Sequence, residues 1–81
     1  MTYDEETRAT HFLREVEQEW RQASEAHSVI GTVHEASAVI REEFEEFWDE
    51  VKSRAHNRAL IRRELMQVAA MCLRSVIDLK L

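Results

Sequence analysis

Residues 60–77 read LIRRELMQVAAMCLRSVI, and the fold turns on how this segment is covered. At about 100° per residue, Leu60, Ile61, Leu65, Met66, Val68, Ala69, Met71, Cys72, Leu73, Val76 and Ile77 occupy most of a helix circumference. They leave a narrow polar edge of Arg63, Gln67, Arg74 and Asp78. A helix that is apolar all round must be covered all round. Two shorter helices of the same chain are a thin cover, so the segment predicts a homodimer whose second and third helices build a shared four-helix-bundle-type core, with a tetramer as the larger alternative.

The rest of the chain agrees with an all-α class. Its 81 residues make one small domain, residues 1–81, with no proline and the single glycine Gly31; such a composition disfavours turn-rich β architecture. Ala9, Phe12, Leu13, Val16, Trp20 and Ala23 recur at spacings of three and four and predict a first helix over about 5–27, with Asp4 as its N-cap and Glu5 and Glu6 in its first turn. Thr32 to Glu35 reads TVHE, a capping box that opens a second helix over 33–54 on the core positions Val33, Ala36, Ile40, Phe44, Phe47 and Val51. Asn57 caps a third over 58–80, and the short link makes helices two and three antiparallel neighbours.

Composition also narrows the function classes. A net charge of −5 argues against a nucleic-acid partner. The longest apolar run, Val68 to Leu73, is too short for a bilayer, and MTYDEETRATHF lacks a basic leader and an apolar signal core, so a soluble, cytoplasmic protein is expected. Cys72 is alone and reads as a buried small hydrophobe, and the Cys and His spacing matches no zinc pattern. His11, His27, His34 and His56 are scattered, with no pair at helical metal-site spacing.

Charge is placed unevenly. Seven acids lie between Glu35 and Glu50 against Arg41 alone, most of them in REEFEEFWDE, residues 41–50; five bases, Lys52, Arg54, Arg58, Arg62 and Arg63, follow with no acid among them. Charge pairing between neighbouring helices is one explanation. The other lies in the acids that face inward. Glu43 falls roughly 80° from the centre of the second helix's apolar stripe, and Glu46 and Glu50 continue its edge. Glu64 is surrounded on its own helix by Leu60, Ile61, Val68 and Met71. A buried carboxylate needs a proton, a basic partner or a metal. Two outcomes are open: Glu43 and Glu64 pair with Arg58, Arg62 or Arg63, or Glu43, Glu46 and Glu64 converge on a hard divalent cation such as Mg²⁺, which prefers oxygen ligands and accepts phosphate oxygens.

HEASAVIREEFEEFWDEV (34–51) followed by RRELMQVAAMCLRSVIDL (62–79) resembles the all-α nucleoside triphosphate pyrophosphohydrolases, the MazG-like and dimeric dUTPase-like superfamily. The likeness covers about half of the chain. That family carries E-x-x-E preceded by a further Glu on one helix and E-x-x-D on the next. Here Glu42, Glu43 and Glu46 complete the first motif and Glu64 opens the second, but Gln67 stands at the aspartate position. The resemblance implies a single MazG-like domain that hydrolyses a nucleoside triphosphate to monophosphate and pyrophosphate, of the house-cleaning type, with Mg²⁺ or Mn²⁺. Glu43, Glu46 and Glu64 would then hold the metal, with Gln67 as a weaker, neutral fourth ligand and Glu42 holding or deprotonating the water. Lys52, Arg54 and Arg58 are candidates for phosphate contacts, some from a second subunit, and Trp20 for the nucleotide base, with core packing its competing role. A non-catalytic helical dimer with a degenerate metal site, serving as an interaction or regulatory module, is the alternative.

Overall fold

The computed structural model describes residues 2–81, and they form three helices: α1 (Tyr3–Ala26), α2 (Val33–Lys52) and α3 (Arg58–Asp78). The all-α class is as expected. α1 begins one residue before the expected Asp4 cap, because Thr2 adopts extended backbone and its hydroxyl accepts from the Glu5 N–H at 3.2 Å. Asp4, Glu5 and Glu6 all fall in the first turn, where carboxylates suit the positive end of the helix dipole. Thr32 caps α2 as predicted, accepting from Glu35 N at 3.0 Å. Glu35 reaches back to Gly31 N at 3.0 Å, one residue earlier than in the standard box. Asn57 caps α3 through Leu60 N at 3.2 Å. α2 stops at Lys52, two residues short of the expected end, and the link to α3 turns through His56 in the left-handed region at φ 41°.

The packing scheme is simple. α2 packs on α3 and α1 packs on α3, while the backbones of α1 and α2 stay more than 8 Å apart, Cα to Cα. This explains the apolar circumference of α3: one flank meets Val16 and Ala23 of α1, around buried Ala70 and Met71, and the other meets Val39 and Ile40 of α2. The molecule is a flat layer, 35 × 33 × 21 Å. No helix is long and apolar enough to cross a membrane among the described residues.

One sequence expectation about α3 is corrected, that for Cys72, and its polar edge proves to be of two kinds. Arg63 is exposed, whereas Arg74 is only 4% exposed. The Arg74 guanidinium donates to the Ser28 carbonyl, and its Nε lies 3.6 Å from Asp78, which in turn accepts from Ile30 N at 3.0 Å. Arg74 and Asp78 thus form a latch that ties the α1–α2 connection to α3 and seats Ile30, which is 1% exposed. Cys72, expected to be buried, is exposed, because it sits between the two packed flanks of α3 where neither neighbouring helix reaches.

Removing one member of a buried ion pair strands the other charge, and such changes cost about 3 kcal/mol or more. Asp78→Ala should therefore lower the urea midpoint by a comparable free energy at unchanged denaturant dependence, and a shift within error would show that the latch carries little stability.

Candidate functional site

Because α1 and α2 flank α3 with their backbones held apart, a cleft remains between them with α3 as its floor. It has a volume of about 640 Å³. Glu19, Gln22 and Ala23 of α1 line one wall, Glu35, Val39, Glu42 and Glu43 of α2 the other, and Gln67, Met71 and Arg74 the floor. His27, Ser28 and Ile30 close the end held by the latch. The helical period explains the lining: residues three, four and seven apart share one face, and the small Ala23 and Ala26 keep α1 from filling the space.

Where α2 meets the first half of α3, three carboxylates converge. One oxygen from each of Glu43, Glu46 and Glu64 lies within 4.8 Å of the other two. Glu43 and Glu46 are three residues apart on one face of α2, and the antiparallel pairing brings the end of α2 beside the start of α3, where Glu64 sits. The electrostatics follow from this crowding. Burial, then the charge of Glu46, its hydrogen bond, and the charges of Glu64 and Glu42, push the Glu43 carboxyl up to about 7. Burial and then the charge of Glu46 raise Glu64 as well, against a smaller opposing effect of Arg63. Glu64 Oε2 is buried and accepts no hydrogen bond.

Neutralisation by arginine is not what happens here. Arg62 forms a two-pronged pair with Glu15 of α1, at 3.0 and 2.5 Å, and among the described residues no ion pair joins Glu43 or Glu64 to Arg58, Arg62 or Arg63. Nor does an ion pair link the acids of α2 to those bases, so the pairing of the two strips across neighbouring helices does not form within one chain. Three carboxylates that can each bring one oxygen to this spacing, with an orphaned buried oxygen on Glu64, are a donor set that a hard divalent cation would fit.

The remaining candidates are distributed as follows. Glu42 is exposed and lines the α2 wall beside Glu43, and Gln67 is half-buried in the floor. Lys52 pairs with Asp49 at 3.3 Å and lies over the Trp48 ring. Arg54 and Arg58 are exposed around the α2–α3 link, and none of these three bases lines the cleft. Trp20 lies in a separate apolar groove between α1 and α3 with Phe12, Val16 and Leu73, under the Arg21 guanidinium. Glu19, Gln22 and Arg74 were not legible as cleft residues from the sequence; Glu19 and Gln22 share a face with Ala23 and Ala26, a signal too common on surface helices to single out.

No protein-family model, no curated protein and no solved structure matches this chain.

A carboxyl raised to about 7 in the folded chain and near 4.5 when unfolded binds its proton preferentially in the native state. Its contribution is fully present below about pH 4.5 and is lost as pH rises through about 7. Metal-free protein should lose stability over that window, and Glu43→Gln should flatten the slope and raise the melting temperature at pH 8. An unchanged pH profile in the variant would show that Glu43 is not the group responsible.

Proposed function

We propose that this protein is a divalent-metal-dependent nucleoside triphosphate pyrophosphohydrolase of the all-α, MazG-like kind. The observation that carries the reading is the convergence of Glu43, Glu46 and Glu64, with an orphaned carboxylate oxygen, beside a cleft of about 640 Å³. Volumes of this size are typical of small-molecule sites. The resemblance of residues 34–51 and 62–79 to that superfamily supplies the reaction type.

In this reading Glu43, Glu46 and Glu64 hold Mg²⁺, or Mn²⁺ in its place. When bound, the cation neutralises phosphate charge and polarises the phosphoryl group. A nucleoside triphosphate needs that neutralisation, since Glu19, Glu35, Glu42 and Glu43 make the cleft walls acidic. Glu42 holds the attacking water and accepts its proton as the water oxygen bonds to the α-phosphorus. The bridging P–O bond to the β-phosphate breaks, and pyrophosphate leaves with the bond's electron pair. Gln67 contributes a neutral amide where a carboxylate would bind metal more tightly, so metal affinity is modest. The Arg74 latch, by fixing residues 28–30, holds the closed end of the cleft in place for the ligand.

Gln67 also favours a second reading, a non-catalytic helical module that keeps the scaffold with a weakened site. The retained Glu64 weighs against it: an acid partly buried without a partner is destabilising unless it has a use.

Purified protein with Mg²⁺ or Mn²⁺ should release pyrophosphate from a panel of canonical and modified nucleoside triphosphates, with activity lost in Glu43→Gln; silence across the panel at high enzyme concentration would support the non-catalytic module. Mg²⁺ with a nucleotide should raise the melting temperature of the native chain but not of Glu64→Gln, by mass action on the folded state. Gln67→Asp should tighten metal binding at least several-fold by calorimetry, and an unchanged affinity would remove residue 67 from the ligand set.

A further inference from the structure

We propose that Arg74 reads the base of a nucleotide held in the cleft: it donates to a ring carbonyl oxygen, so the cleft takes oxo-bases such as hypoxanthine, guanine and uracil over their amino counterparts. The inference rests on the nucleotide-binding part of the reading above and not on hydrolysis.

Arg74 is the one arginine or lysine that lines the cleft among the described residues. Its side chain is 5% exposed, a depth at which a charged group is normally fully paired. The pairing here is partial. A guanidinium carries five N–H donors, and the Ser28 carbonyl is the one hydrogen-bond acceptor it meets among the described residues. Nε is buried without a hydrogen-bond partner, since Asp78 at 3.6 Å lies beyond hydrogen-bonding distance. A buried arginine with donors to spare, lining a cleft, is a group placed to meet a ligand.

Its place along the floor says which part of the ligand it meets. Seven residues separate Gln67 from Arg74, about 10 Å along α3 at the helical rise. Glu43 and Gln67 lie toward the carboxylate cluster, whereas Arg74 adjoins the end closed by Ser28 and Ile30. One phosphate cannot touch both ends, but a phosphate with its sugar and base can. Between the ends Ala23, Val39 and Met71 present apolar surface, against which a flat ring packs. Charge gives the same orientation. Asp78 already balances the guanidinium, and Glu35, bonded to the Gly31 N–H at that end, adds a second carboxylate. A phosphate arriving there meets two anions for one cation, whereas a neutral carbonyl oxygen meets a free donor without net repulsion. The phosphates therefore belong with the cation at the acid cluster, and the base faces Arg74.

The chemistry of the guanidinium then selects among bases. It donates only. The 6-oxo group of hypoxanthine or guanine and the 4-oxo group of uracil accept from it, but the amino group of adenine or cytosine would set donor against donor at a buried position, where unmade hydrogen bonds are costly.

Isothermal titration calorimetry with saturating Mg²⁺ tests this on α,β-methylene triphosphates, whose α–β bridge resists hydrolysis. The inosine analogue should bind the native chain about tenfold or more tightly than the adenosine analogue, and the uridine analogue should exceed the cytidine analogue likewise. Arg74→Met combined with Asp78→Asn removes both charges together and keeps an acceptor for the Ile30 N–H, the kind of paired replacement that buried ion pairs tolerate. The double variant should retain the parent's helical circular dichroism and its affinity for Mg²⁺-tripolyphosphate, and lose the preference within both pairs. Equal affinities within both pairs in the native chain, no binding of any analogue at millimolar concentration, or an oxo preference retained by the folded double variant would each overturn the proposal. Binding sorted by oxo group without pyrophosphate release from the natural triphosphates would overturn the hydrolase reading alone and leave the role of Arg74 standing.

Discussion

The whole arrangement depends on α3 packing against two helices whose backbones stand apart from each other. A helix serving two partners needs two apolar flanks, and the wide hydrophobic arc of residues 60–77 supplies them. The consequence on one side is the cleft: with α1 and α2 held apart by the thickness of α3, the space above it stays open. On the other side the same geometry leaves a third strip of α3 with no partner in the chain. Site and bare face thus share a physical origin.

The acids gain their meaning from that frame. Six carboxylates in REEFEEFWDE are unremarkable on a solvated helix, where water screens each from the next. Antiparallel packing of α2 on α3 brings Glu43 and Glu46 to the partly buried Glu64, where screening is weaker and each charge disfavours the others. The chain does not relieve this with arginine. Arg62 is drawn to Glu15 and over the Phe12 ring, and Arg74 is committed to Ser28 and Asp78. What relieves the repulsion is a proton, as the raised carboxyls indicate, or a cation. The two compete for the same oxygens, which links the electrostatics of the metal-free chain to its proposed chemistry.

The basic side chains show how far residue type falls short of assigning a role. Lys52, Arg54 and Arg58 read as phosphate contacts because a basic strip follows an acidic one. In the folded chain they surround the link between α2 and α3, outside the cleft lining. Arg74, which the spacing places only on a narrow polar edge, is the side chain that joins the floor of the cleft to its end wall. Burial depends on which segment crosses a position, and here that segment is the irregular stretch from His27 to Gly31, whose path has no periodic signature.

Local chemistry written in the sequence was enough for the helices: apolar spacing of three and four, Thr32 with Glu35, and Asn57 depend only on residues within a turn of each other. The likeness of Glu43, Glu46 and Glu64 to a ligand set was legible as well, because the short link after α2 leaves α3 little choice but to run back along it. Tertiary structure alone decided what the polar edge of α3 is for, where Cys72 and Trp20 lie, and that α1 stands clear of α2. Those outcomes rest on contacts between residues more than 40 positions apart, such as Ser28 with Arg74 and Glu15 with Arg62, and such contacts leave no mark in the spacing of either partner.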